Sequence, residues 1–333
     1  MLGFAERSCE AALIELKSKQ LKPLSGDAGA RRYYRLDTQA KVLLVDAPPE
    51  SENSERFCAV ASWLSKRGLR VPKILAHDSE QGFLLLEDLG DALLQAQLNE
   101  DTVDTYYAEA MSMLLHLQAS ELDAALFPAY DRALLQRELD LFDEWFLTHL
   151  LSFELNVEQQ AALAVLKQML IESAISEPQV IVHRDFHSRN LLLLADESLA
   201  TIDFQDAVYG PLSYDLVSLL KDCYIDWPRE RVERWALTYA SLAADAGLMP
   251  AQGATEFLRS FDLMGLQRHL KVLGIFARLS LRDGKHHYLQ DLPRVLAYVL
   301  EVLSLYDEAG ILSSLFADQL SPTLSTRLQS LAS

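Results

Sequence analysis

VIVHRDFHSRNLLLL, residues 180–194, places a polar loop between two apolar runs, and LATIDFQDA, residues 199–207, repeats the design with a run that ends at Asp203. Apolar runs of this length read as short buried strands. The loop HRDFHSRN therefore hangs between two strands, and Asp203 projects from the end of a third. Polar loops on a rigid scaffold are where chemistry-bearing side chains collect. In order, the polar positions are His183, Asp185, Asn190 and Asp203. Each alone is best explained as a charged turn after a strand. All four at strand ends in this order are hard to obtain by accident.

The order and spacing are those of a kinase catalytic loop and its metal-binding aspartate. Phosphoryl transfer accounts for the residue types. The transferred group carries diffuse negative charge, so Mg2+ must bridge the phosphates of ATP, and hard oxygen ligands such as the Asn190 amide and the Asp203 carboxylate suit it. The acceptor hydroxyl is a poor nucleophile until a base orients it and takes its proton, the role for which Asp185 is placed. His183 is expected to prop the loop.

Outward from this stretch, the chain changes texture near Gly90. The first twenty residues have helical apolar spacing, followed by the turn-rich segment SGDAGA (25–30). Strands are expected over 31–36 and 41–47, a helix over 51–68, and strands over 71–78 and 82–89. Residues 100–175 and 228–330 have helical periodicity. The expectation is an α+β fold in two parts: a small β-rich N-terminal nucleotide-binding lobe (1–90) and a larger, mostly helical catalytic and acceptor-binding lobe (91–333).

On the nucleotide side, Glu87 and Leu89 fall at the lobe boundary, where a hinge would offer backbone groups to adenine. The strand KVLLVDA should carry the lysine that kinases aim at the phosphates. An apolar residue, Val45, stands in its place and Lys41 comes early; Arg31 or Arg32, after SGDAGA, can substitute. No Walker A loop is present. On the acceptor side, RELDLFDEWF (137–146) offers Arg137, Glu144 and Trp145, the last as a stacking wall for a sugar. QRHLKVLGIFARL (267–279) offers Arg268, His269 and Lys271.

The formal net charge is -18, which argues against nucleic acid or an anionic membrane surface as partner. The three cysteines form no Cys-x-x-Cys pair, and the first residues carry charges throughout, so a cytoplasmic protein is expected. No obligate protein partner is inferred.

With His183-x-Asp185, Asn190, Ile202-Asp203, Gly210 and Asp215-Leu216, the chain resembles the aminoglycoside phosphotransferase and choline kinase superfamily. The resemblance implies a protein-kinase-like bilobal fold, Asp185 as base, Asn190 and Asp203 as magnesium ligands, and Asp215 as a structural brace for the loop. Only residues 204–214 separate Asp203 from Asp215, which leaves no room for a peptide-binding platform and implies a small-molecule acceptor. GDAGARRYYR, HRDFHSRN, IDFQDAVYGPLSYDL and QRHLKVLGIFARL are further similar to the branch that phosphorylates N-acetylmuramate and N-acetylglucosamine at the anomeric hydroxyl in cell-wall recycling. The lactyl carboxylate of N-acetylmuramate needs a cation, for which Arg137, Arg189, Arg268 and Lys271 are available. The alternatives are a kinase of the aminoglycoside or choline type and, because of the missing lysine, a non-catalytic nucleotide-binding pseudokinase.

Overall fold

The computed structural model describes residues 1–24, 30–306 and 310–332. Of SGDAGA, residues 25–29 lie outside the described residues. By packing, the chain divides into two compact units: Met1–Leu126 with Ser188–Ala207, and Phe127–His187 with Val208–Ser333.

The first unit is built on a five-stranded antiparallel sheet, order β1-β2-β3-β5-β4, from β1 (Lys22–Pro23), β2 (Arg32–Arg35), β3 (Val42–Asp46), β4 (Ile74–Asp78) and β5 (Phe83–Glu87). β3 is central: Val42, Leu44 and Val45 are buried, and both edges are paired. The first helix, α1 (Leu2–Ala11), is shorter than the apolar spacing predicts, because the chain turns at Leu13 with a positive φ of 57°. Helix α2 (Ser54–Lys66) starts where the Asn53 side chain accepts the Arg56 N–H. Its buried face includes Phe57, Val60, Ala61 and Leu64. Helix α3 (Val103–Gln118) and the strand pair β7 (Leu191–Leu193) and β8 (Leu199–Thr201) belong to the same unit. A bridge from Leu93 to Leu192 and the Thr201 N–H on the Arg70 carbonyl (2.9 Å) tie that pair in. Packing thus carries elements beyond residue 90 with the sheet.

The second unit is helical around one short ladder, β6 (Gln179–Val182) against β9 (Val208–Pro211). Its helices are α4 (Arg132–Leu141), α5 (Val157–Ser176), α6 (Ser213–Leu220), α7 (Arg229–Asp245), α8 (Ala254–Leu281) and α9 (Leu292–Leu305). Helix α8 is buried on nearly every side, and 261–274 contains no exposed residue. Such a helix needs a close neighbour, and Gly274 provides one: a Cβ there would lie 2.7 Å from the Phe142 nitrogen and strike the Leu141 carbonyl. At this contact α4 gives way to widened, π-type turns over Phe142–Leu150.

Candidate active site

The quoted loop crosses the boundary between the units, with Asp185 in the second and Asn190 and Asp203 in the first.

In the second unit, β6 ends at Val182 and the chain turns through Arg184, whose φ is 76°. Left-handed backbone at a non-glycine residue must be held by its surroundings. The hold is the buried Asp215 on α6, whose carboxylate accepts the N–H groups of His183 (2.6 Å) and Arg184 (3.0 Å). Burial pushes the Asp215 carboxyl up to about 7 against the pull of those two N–H groups. His183 is buried with its ring edge-on to Phe186.

Burial also pushes the Asp185 carboxyl upward, but Lys271, His187, Arg184 and His183 outweigh it and hold the group below the usual carboxylate range. Two of these cations are themselves organised by Glu138 on α4. Its buried carboxylate accepts from Arg184 Nη2 (2.5 Å), from the Tyr130 hydroxyl and from Gln267 Nε2 (3.5 Å), and it pairs with Lys271 Nζ (3.0 Å). Lys271 also donates to the Tyr214 hydroxyl (2.8 Å). Burial raises the Glu138 carboxyl, and Lys271 and Arg184 bring it below its ordinary value.

Arg137 on α4 and Glu144 in the π-type turns that follow it are both exposed. Trp145 is half-buried against the His149 ring, 4.8 Å between centroids. No hydrogen bond or ion pair among the described residues joins these three to the surroundings of Asp185. Glu138 was legible in principle: Leu135, Glu138 and Leu139 share a buried helical stripe, and an acid there demands partners. His269 is buried, stacked on Tyr298, and bonded to the Lys221 carbonyl at 3.1 Å. Burial holds it far below the ordinary histidine range, so it is neutral.

In the first unit, the Ile202 N–H donates to the Asn190 carbonyl (3.0 Å), tying the start of β7 to the end of β8. Asp203 follows, exposed and left-handed at φ 64°. Phe204 is fully buried and stacks on Phe57 of α2 at 5.0 Å. Arg56, also on α2, donates to the carbonyls of Gln205, Ala207 and Leu126 at 2.8 Å each, so it fixes the turn behind Asp203. The Gln205 amide donates to Asp203 Oδ1 (2.8 Å). Arg189 donates to Gln95 Oε1 at 3.0 Å.

Arg31 and Arg32 part company. Arg31 is 10% exposed, pairs with Glu52 (2.9 Å), and lies over the Phe57 ring, whereas Arg32 is 63% exposed and pairs with Asp46. Burial raises the neighbouring Tyr33 hydroxyl; Arg31 lowers it, while Asp203 and Glu52 raise it, so all four share one electrostatic neighbourhood. Val45 is buried in β3, and Lys41 is exposed before it. At the end of β5, the Glu87 carboxylate is held by Arg70 (2.6 and 2.8 Å), which lowers it. Leu89 is half-buried, with no hydrogen bond on its peptide groups among the described residues.

A model of the phosphotransferase enzyme family matches residues 20–254. The chain is 43% identical over 305 residues to an N-acetylmuramate/N-acetylglucosamine kinase of Pseudomonas putida, covering 91% of this chain and 89% of the relative. The chain belongs to the phosphotransferase enzyme family. A second protein of that printed name, from Pseudomonas aeruginosa, is 41% identical over 304 residues, covering 91% of this chain and 89% of the relative. The ADP-bound crystal structure of an aminoglycoside phosphotransferase matches with a TM-score of 0.59 at 16% identity, covering 90% of this chain and 98% of that one. That likeness concerns the fold, which is the α+β, protein-kinase-like one. As a family member the chain is a small-molecule kinase, and a kinase draws its phosphoryl group from ATP. No described helix is long and apolar enough to cross a membrane.

Proposed function

We propose that this enzyme transfers the γ-phosphoryl group of ATP to the anomeric hydroxyl of N-acetylmuramate or N-acetylglucosamine, as a cytoplasmic step in cell-wall recycling. Asp185 receives the hydroxyl proton. The observation that carries this reading is the state of that base. A carboxylate held below its ordinary range by Lys271, His187 and Arg184 is a weak base, suited to an acidic hydroxyl. An anomeric hydroxyl is more acidic than an ordinary alcohol. The relatives named for these two sugars support the same acceptor. A polycationic aminoglycoside or choline would meet cations around Asp185, which disfavours the alternative acceptors.

Asn190 and Asp203 hold Mg2+. The donor set fits: one carboxylate and one amide oxygen suit an ion that keeps waters and takes its remaining ligands from phosphates. No cluster of three acids, cysteines or histidines is found among the described residues, and none is required. Bound there, the ion neutralises phosphate charge. Arg31, not Arg32, replaces the absent strand lysine, with Glu52 as its partner. Leu89 and the Glu87 backbone receive adenine, residues 1–90 serve the nucleotide, and 91–333 serve the acceptor. His183 and Asp215 keep the loop in shape.

The test is turnover with ATP and Mg2+ on N-acetylmuramate, N-acetylglucosamine, choline and an aminoglycoside. ADP release with the sugars alone is expected. Release with choline or the aminoglycoside alone overturns the acceptor, and release with none overturns the catalytic reading.

A further inference from the structure

Four cationic side chains are buried among the described residues: Lys167, Lys221, Arg268 and Lys271. Three have a carboxylate within ion-pair distance. Lys167 reaches Asp143 at 2.5 Å, Lys221 reaches Glu301 at 2.5 Å, and Lys271 reaches Glu138 at 3.0 Å. Arg268 has none. It is 4% exposed, and its one hydrogen bond among the described residues runs from Nη1 to Cys223 Sγ at 3.4 Å. Burial raises the Cys223 thiol, so the sulfur is neutral and supplies no counter-charge. A guanidinium offers five N–H donors and cannot shed its proton, so a buried one without an anion is costly. Such a group is kept where an anion arrives with the substrate.

Its surroundings say which anion. Arg268 touches Cys223, just after α6, and shares an electrostatic neighbourhood with Tyr214 and Asp215 on α6, with Asp185 on the loop 183–190, and with His269 beside it on α8. The base and the unpaired cation are thus electrostatic neighbours within one unit. In N-acetylmuramate the lactyl carboxylate hangs from the ring two carbons from the anomeric centre. A sugar presenting its anomeric hydroxyl to Asp185 carries that carboxylate into the same neighbourhood. Of the other cations available to the lactyl carboxylate, Arg137 is exposed, Arg189 bonds Gln95 and lies in the other unit, and Lys271 is committed to Glu138 and Tyr214.

We propose that Arg268 is the anion-recognising residue of the acceptor site: it receives the lactyl carboxylate of N-acetylmuramate and sets the preference between that sugar and N-acetylglucosamine. This rests on the amino-sugar reading above. The test is kcat and KM for both sugars with the wild-type enzyme, Arg268→Gln and Arg268→Lys. Losing a buried charge-assisted pair should cut the ratio of kcat/KM for N-acetylmuramate over that for N-acetylglucosamine by on the order of 100-fold in Arg268→Gln, mainly through KM. Arg268→Lys, which keeps the charge but not the fork, should shift the ratio by about tenfold and serves if the glutamine variant does not fold. A ratio unchanged in either folded variant, including an equal loss with both sugars, overturns the proposal. A wild-type enzyme that phosphorylates neither sugar instead overturns the acceptor reading on which it stands.

Discussion

Replacing Glu138 by alanine should be among the most damaging single changes in the second unit. The residue is 5% exposed, and its carboxylate serves Arg184, Lys271 and the Tyr130 hydroxyl at once. Breaking a buried ion pair from one side costs ~3–5 kcal/mol. The orphaned tyrosine hydroxyl adds ~1–3 kcal/mol. The sum, about 4–8 kcal/mol, approaches the whole stability of a typical domain, ~5–15 kcal/mol. Thermal unfolding followed by circular dichroism reads the loss. Glu138→Ala/Lys271→Met should recover part of it, because one uncompensated charge is gone. Raising the pH should relieve the single variant as well, since Lys271 can shed its proton where Arg184 cannot. A Glu138→Ala melting point within about 2 °C of wild type, under ~1 kcal/mol, would refute the role given to this carboxylate.

Three further outcomes are expected. Asp203→Ala should abolish phosphotransfer while the protein stays folded, because the carboxylate is exposed at a strand end; near-normal turnover would sink the metal assignment. Arg31→Ala should raise KM for ATP or lower turnover by about tenfold or more, and Arg32→Ala by far less; equal effects would remove the distinction drawn from their burial. Glu177, whose carboxylate accepts from the Ser213 N–H and hydroxyl, is pushed by burial up to about 7. A raised folded pKa gives stability that is complete below about 4.5 and lost as pH rises towards 7. Urea midpoints should therefore fall across that window in the wild type and fall less in Glu177→Gln, with parallel curves as the contrary result.

The loop 183–190 could be read from sequence because it lies between two short apolar strands, β6 and β7, where periodicity and polarity change together. The sheet was legible for the same reason. Glu138 was harder, since neighbouring Arg137 and Glu144 look equally suitable as sites and only their exposure separates them. The different burial of Arg31 and Arg32 follows strand alternation, which sets Arg31 on Glu52 and leaves Arg32 exposed beside Asp46. Arg56 is illegible from sequence because a surface-type residue on an amphipathic helix gives no sign that it will bind three distant carbonyls. Arg268 and Lys271 lie on a helix whose burial on nearly all sides is a tertiary property; local sequence shows a helix with cations and no more.

The position of the transferred phosphate tests the central claim most directly. The enzyme would be incubated with ATP, Mg2+ and N-acetylglucosamine or N-acetylmuramate, and the product examined by phosphorus and proton NMR. Coupling of phosphorus to the anomeric proton is the predicted result, with no such product from Asp185→Asn. Coupling to the C6 methylene protons would contradict the account, because a primary alcohol has none of the extra acidity that makes a carboxylate as weakly basic as Asp185 sufficient.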